Sequence, residues 1–208
     1  MPESPPTEDA ADRDPLTLLR ADRAAARAAG DPNALLCWLA TTDAAGAPSV
    51  RTLVLREVDD QFALFLSATS PKAMDLARHG HCQLATWFAP LQRQWRLSAR
   101  TRTMARDRLA ESWQQRPRTS KLLDHLHHRG RPQSGIAPDQ ASLESALADL
   151  DDELGAQPSM PDSAQGVLLE IHTVECLQLT GADALHRRRR WQRGTDDDAP
   201  WSLSVLVP

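Results

Sequence analysis

Six basic side chains crowd one ten-residue stretch, ALHRRRRWQR at 184–193, in a chain that is acidic overall. Such a run either holds an anion or blunts a solvated edge strand with charge; its geometry bears on which. In a strand, side chains alternate faces. Leu185, Arg187, Arg189 and Trp191 therefore point one way, and His186, Arg188, Arg190 and Gln192 the other. The run is two rows, not one patch. Three more stretches carry positive charge. SVRTLVLRE places Arg51 and Arg56 at the ends of an apolar strand, on opposite faces unless a bulge intervenes. TSPKA places Lys72 at the start of a helix, where free backbone N–H groups and the helix dipole favour an anion. QQRPRTS adds Arg116, Arg118 and Ser120. Singly, each reads as a surface charge. Together they suggest sites for phosphorylated small molecules.

The bulk numbers favour that scale of ligand. The 208 residues include 24 basic and 28 acidic side chains, a formal net charge of −4. Nucleic-acid binders draw most of their affinity from phosphate neutralisation and are usually basic, so no nucleic-acid partner is expected. A hydrophobic share of 41% supports a real core. Cys37, Cys82 and Cys176 lie far apart, without metal or disulfide spacing, and read as reduced thiols of a cytoplasmic protein. His79, His81, His125, His127 and His128 lack supporting Cys or carboxylate spacing. They read as a solvated helix face, and no metal is expected. Residues 1–13 are acidic and Pro-rich and read as a disordered tail rather than a signal peptide. No apolar run reaches the roughly 18 residues of a membrane span, so no membrane partner is expected.

The elements that must position these residues follow from local signals. Asp14-Pro15 caps a short helix that stops at Gly30 and reads as peripheral. LLCWLATT (35–42), VRTLVLREV (50–58) and QFALFLS (61–67) form a meander. A helix over 69–80 has Ser70 as its cap and Pro71 in its first turn. Residues 82–89 and 93–104 are two further strands. Helical segments follow over 105–115 and within 116–128. The clearest helix spans 139–155, with Leu143, Leu147, Leu150 and Leu154 in one stripe and Asp149, Asp151, Asp152 and Glu153 on its wet side. Three strands close the chain, at 166–179, 184–193 and 201–208. About eight strands without strand–helix alternation predict a mainly β, α+β fold: an antiparallel barrel decorated by helices. Neither G-x-G-x-x-G nor the P-loop pattern occurs.

In order along the chain, these motifs resemble the pyridoxamine 5'-phosphate oxidase family of FMN-binding split barrels. DPLTLL is similar to its N-terminal motif, SVRTLVLRE to R-x-V-L-L-K, and LSATSPKA to the segment ending in S-[RQ]-K. RQW resembles R-Q-V, QRPRTS is close to S-R-P-x-x-S, and ALHRRRRWQR resembles R-L-H-x-R. The resemblance implies an antiparallel split β-barrel over 14–208. Its parts are a helix (14–30), a barrel core (35–104), a helical insertion (105–155) and closing strands for dimerisation and substrate (166–208). It implies a homodimer with FMN at the interface. Arg51 and Lys72 would bind the FMN phosphate. Thr52, Leu53, Val54, Leu55, Leu66 and Ser67 would line the flavin, joined by Arg56. Gln94 and Arg188 would reach its ring system, where a cation stabilises added negative charge. Arg56, Arg116, Ser120 and His186 would hold the substrate, with His186 and Arg188 as the catalytic pair. The implied reaction is oxidation of pyridoxamine or pyridoxine 5'-phosphate by oxygen to pyridoxal 5'-phosphate.

Departures cluster where the substrate would sit. The Arg of R-L-H is Ala184, and the basic residue before Lys72 is Pro71. The Tyr before R-P-x-x-S is Ser112, and the Trp of F-W-Q is Leu177. By direct counting, the Gln-Ser pair after that motif falls near Arg129-Gly130. The aligned residues support FMN binding better than the specific oxidase activity. Two alternatives stay open: a related FMN enzyme with another substrate, such as a phenazine-type precursor, and a non-catalytic protein that binds FMN, haem or pyridoxal phosphate as carrier or sensor.

Overall fold

The computed structural model describes residues 14–179, 185–194 and 199–208. The tail over 1–13 and Ala184 lie outside them. Helix α1 (Pro15–Ala28) begins where Asp14 accepts hydrogen bonds from the amides of Leu16 and Thr17. It is not peripheral, as its short pattern suggested. Leu19 and Ala26 are fully buried. Asp22 accepts from Arg93 Nη1 at 2.6 Å and from Trp95 Nε1 at 2.9 Å, pinning the helix to the sheet.

The strands follow in chain order. They are β1 (Leu36–Thr42), β2 (Pro48–Val54), β3 (Arg56–Val58), β4 (Gln61–Ser67), β5 (His81–Phe88), β6 (Arg93–Thr103), β7 (Ala164–Gln178), β8 (Arg187–Gln192) and β9 (Ser202–Leu206). All pairings are antiparallel, in the order β2-β1-β5-β6-β7-β4-β3, with β8 on β7 and β9 on β8. The sequence suggested one strand over 50–58. That strand breaks at Leu55, whose side chain turns into the core at 1% exposure. Its amide donates to Leu35 O, and its carbonyl accepts from Arg23 Nη2.

Strand β7 has 15 residues and three partners. Its first residues pair with β4, its last with β8, and nearly its whole length with β6. One bulge makes this possible. Ser98 opposes Thr173 but Ala99 opposes Ile171, so His172 is the extra residue. Bulges bend and twist a strand, and β7 turns from one flank of the curled sheet to the other.

The concave face carries the core. Cys37, Leu39, Leu84, Trp95, Leu97, Val174, Cys176 and Trp191 alternate with half-exposed neighbours along their strands. Trp95 and Trp191 stack with centroids 6.1 Å apart. Burial pushes the three thiols up to about 12, which keeps them protonated and inert.

Four more helices decorate the sheet: α2 (Pro71–His79), α3 (Arg106–Gln114), α4 (Arg118–His128) and α5 (Gln140–Leu154). Asp139 caps α5, and Leu150 packs with Leu122 and Leu126 of α4. No helix among the described residues is long and apolar enough to cross a membrane.

Candidate functional site

Helix α2 starts against the rim of the sheet. Ser70 caps it by accepting from the Ala73 amide, and its own Oγ donates to Ser67 O at 2.7 Å. Leu66 and Ser67, at the end of β4, are both buried beneath this turn. Lys72 follows in the first turn and is only 5% exposed. Its Nζ donates to Gln133 Oε1 in the loop after α4. Arg51 reaches the same region from β2. Its Nη1 donates to Thr41 Oγ1 at 2.7 Å and to Ser49 O at 3.2 Å. Thr41 in turn donates to Asp75 Oδ2 at 2.6 Å, and Asp75 lies 3.9 Å from Arg51 Nη2. Thr41 and Asp75 thus fix the guanidinium from below.

Burial, and then the charge of Arg51, hold the Lys72 ammonium below its ordinary pKa. Two cations set close together beside a capped helix N-terminus are a receptor for a dianion. A phosphate monoester placed there would offset the repulsion between them. These residues fit the phosphate end of FMN, even with Pro71 in place of a second basic residue.

A second charged group lies behind Lys72. Asp124 of α4 is 7% exposed, and its Oδ2 stands 2.5 Å from Arg116 Nη1. The Arg116 guanidinium lies over the rings of Trp113 (5.3 Å) and Phe65 (5.8 Å). Burial pushes the Asp124 carboxyl up, against the opposing pull of Arg116 and His127. Burial holds the His127 imidazole below its ordinary value, with Asp124 opposing and Lys72 reinforcing. Ser120 is half-buried, one helical turn before Asp124. Arg56 is exposed on β3. It pairs with Ala63 and so shares the face that carries Phe65.

The histidines are not one wet face. His125 is buried, bonds Ser159 O through Nε2 at 2.8 Å, and meets Trp113 edge-on at 6.2 Å. No group of three or more metal-ligating side chains forms among the described residues.

The third group lies on the convex face. Trp87, Gln94, Leu177, Arg188 and Leu206 stand directly opposite one another on β5, β6, β7, β8 and β9. Cross-strand partners share a face, so Gln94 and Arg188 point the same way with Leu177 between them. Glu175 orients this row. It accepts from Arg188 Nη2 at 2.8 Å, and Arg96 Nη1 lies 3.5 Å from the same oxygen. Thr52 and Val54 share this face and are exposed, while Leu53 is half-buried on the other. His186 is exposed immediately before β8. Arg189 lies across the Trp191 ring at 5.2 Å, on the face opposite Arg188.

The structure therefore pairs Asp124 with Arg116, and sets Arg51 and Asp124 near enough to Lys72 to act on its charge. It sets Gln94 and Arg188 apart from them on the outer face. Sequence reading missed Thr41, Asp75, Asp124 and Gln133. Two signals were present. Gln133-Ser134 is a Gln-Ser pair displaced by four residues from the counted position, and four residues make about one helical turn. Asp124 follows Ser120 by four residues, on one helix face.

Comparison with known proteins shows the family and the fold. The family model described as pyridoxamine 5'-phosphate oxidase matches residues 25–177 and stops before β8. A pyridoxine/pyridoxamine 5'-phosphate oxidase of Salinibacter ruber is 30% identical over 200 residues, 94% of this chain and 89% of that protein. One from Anaeromyxobacter dehalogenans is 29% identical, covering 98% of this chain and all of its own length. Among solved structures, PhzG from Burkholderia lata, in complex with tetrahydrophenazine-1-carboxylic acid, superposes with a TM-score of 0.82. The two are 25% identical, and the match covers 94% of this chain and 93% of that one. A pyridoxamine 5'-phosphate oxidase-related, FMN-binding protein from Nostoc punctiforme shares the fold with a TM-score of 0.74 at 20% identity, covering 92% and 96%. The chain belongs to the pyridoxamine 5'-phosphate oxidase family of FMN-binding split barrels.

Proposed function

We propose that this protein is an FMN-dependent oxidase of a small aromatic ring compound, and that pyridoxine or pyridoxamine 5'-phosphate is the first substrate to test. The observation that carries the reading is the pair of cations at the capped start of α2, buried Lys72 and half-buried Arg51, whose charge acts on Lys72. FMN, when bound, supplies the two-electron acceptor and returns the electrons to oxygen.

The chain's own residues do the rest. Arg51 and Lys72 hold the cofactor phosphate, with Gln133 steadying Lys72. The backbone of Thr52 to Leu55, with Arg56, Leu66 and Ser67, forms the wall beside it. Gln94 and Arg188 face the ring system, and the charge of Arg188 favours electron density arriving near it. Glu175 keeps Arg188 in place. Arg116, Ser120 and Arg56 take the substrate's anionic end, and His186 lies against its ring. Within one protomer the Gln94–Arg188 row and the Arg51–Lys72 cradle occupy different faces. A homodimer that sets one protomer's row against its partner's cradle completes the site, with the cofactor enclosed between them.

A second reading is a related FMN enzyme whose ring substrate carries a carboxylate, as in a phenazine-type precursor. Arg116 favours it, because that guanidinium is already paired with Asp124. The similarity to PhzG points the same way.

Anaerobic mixing of FMN-loaded protein with pyridoxine 5'-phosphate tests the first reading. Bleaching of the flavin band, reversed by air with pyridoxal 5'-phosphate formed, is the expected result. Flavin that binds and stays oxidised refutes it and leaves the second. Protein that takes up no FMN refutes both.

A further inference from the structure

We propose that Asp124 determines substrate preference by acting as a resident counter-ion for Arg116, weakening the site for phosphate esters and favouring ring substrates that carry at most one negative charge. The inference rests on the reading that Arg116 meets the substrate's anionic end.

Arg116 is well placed for planar recognition. Trp113 and Phe65 both lie within cation–π distance of its guanidinium. Its exposure is low, with 16% of its side chain accessible. Among the described residues only Nη1 is engaged, and its partner is the Asp124 carboxylate. The remaining N–H edge can still receive a ligand. A ligand arriving there meets a neutral pair, not a free cation.

That difference matters most for the most highly charged ligand. A phosphate ester carries nearly two negative charges near pH 7, and its oxygens would lie close to a buried carboxylate. Water screens such a contact poorly. A single carboxylate suffers about half the repulsion, and a neutral ring none. The charged groups facing Asp124 do not cancel this. Lys72 of α2 is directed to Gln133 and beside Arg51. Burial holds the His127 imidazole below its ordinary value, and His125 bonds Ser159 O. Arg116 is the one cation in contact with the carboxylate among the described residues.

A buried ion pair can be purely structural, so the test must read ligand charge. In FMN-loaded protein, the Kd values of pyridoxal 5'-phosphate and pyridoxal are measured by calorimetry. The two probes differ only in the phosphate. Asp124→Asn keeps the side-chain volume and removes the charge. It is expected to tighten pyridoxal 5'-phosphate at least tenfold and pyridoxal less than twofold. Inorganic phosphate, with the cofactor site filled, gains likewise, and Arg116→Ala abolishes that gain. The inorganic probe separates this proposal from the ring-substrate reading, because it reports on Asp124 even if neither pyridine binds. An unchanged or weakened phosphate affinity in Asp124→Asn overturns the proposal. If that variant misfolds, the double variant R116A/D124N removes the pair together. Binding of phosphate within threefold of the parent supports resident neutralisation; a loss of thirtyfold or more overturns it.

Discussion

Gln94 and Arg188 flank Leu177 in one cross-strand row, each directly opposite it on a neighbouring strand. Two strand spacings of about 4.8 Å separate their backbones. A flat ring laid across Leu177 spans that gap. Replacing Arg188 by Leu is expected to lower the potential of bound FMN and slow its reduction, while Arg188→Lys retains part of both. Redox titration and anaerobic stopped-flow measurements check this. An unaltered potential in Arg188→Leu removes the residue from the ring.

Lys72 is held by Gln133, not by anything at Arg129. Gln133→Ala is expected to weaken FMN binding about three- to tenfold, the effect of losing one ordinary hydrogen bond that steadies Lys72. Arg129→Ala, which removes only a solvent-exposed ion pair with Glu153, should leave it within twofold. Fluorescence titration of FMN compares the two. The reverse order would restore the counted position as the cofactor contact.

Acid should destabilise the folded chain in a definite window. Burial holds both His127 and His172 below the ordinary value of 6.5, the latter aided by His81 and Arg100. Just below pH 6.5 the unfolded chain binds more protons than the folded one, so stability falls as pH drops. Asp124 has the opposite sign: its raised carboxyl favours folding as pH falls through its folded value toward 3.8. Melting temperature is expected to fall between pH 7 and 5.5, with a shallower slope in His127→Gln and a shallower one again when His172→Gln is added. A flat parental profile contradicts the burial of these rings.

Asp22 satisfies two buried or half-buried donors at once. Asp22→Ala strands Trp95 Nε1 and leaves Arg93 without its carboxylate. The cost is expected to be about 2–4 kcal/mol, against about 1 kcal/mol for Asp22→Asn. Urea unfolding measures both. Equal, small losses would mean that α1 is not anchored through this residue.

Most of the architecture was legible because strand alternation and helix caps are local. Asp14, Ser70, Asp139 and Gly80 mark helix ends just where the structure has them. The strand break at Leu55 was not legible, since it depends on Arg23 and Leu35 reaching that residue from elsewhere. The depth of α1 was hidden for a related reason. Its buried stripe is short, and its anchor is an Asp that looks like a surface charge until Trp95 and Arg93 meet it. In the site, the cations could be read from their types and motifs. Their carboxylate partners, Asp75 and Asp124, could not, because each meets its cation through tertiary packing. Gln133 was obscured by arithmetic: α4 extends to His128, so the pair after it falls later than counting suggests.

The three-way pairing of β7 also constrains how the protein is made. Strands β4 and β6 both leave the ribosome before their β7 partner exists, and the wall of the cradle at Leu66 and Ser67 closes only against Gln165 and Ala164. The strand bearing Arg188 comes later still and docks on residues 173–178 of β7, beyond the bulge at His172. Assembly is therefore late and long-range, which slows folding and leaves unpaired edges exposed in the meantime. Synonymous codons or chaperone contacts that alter the pause while β7 emerges should change soluble yield more than the same changes placed in α5.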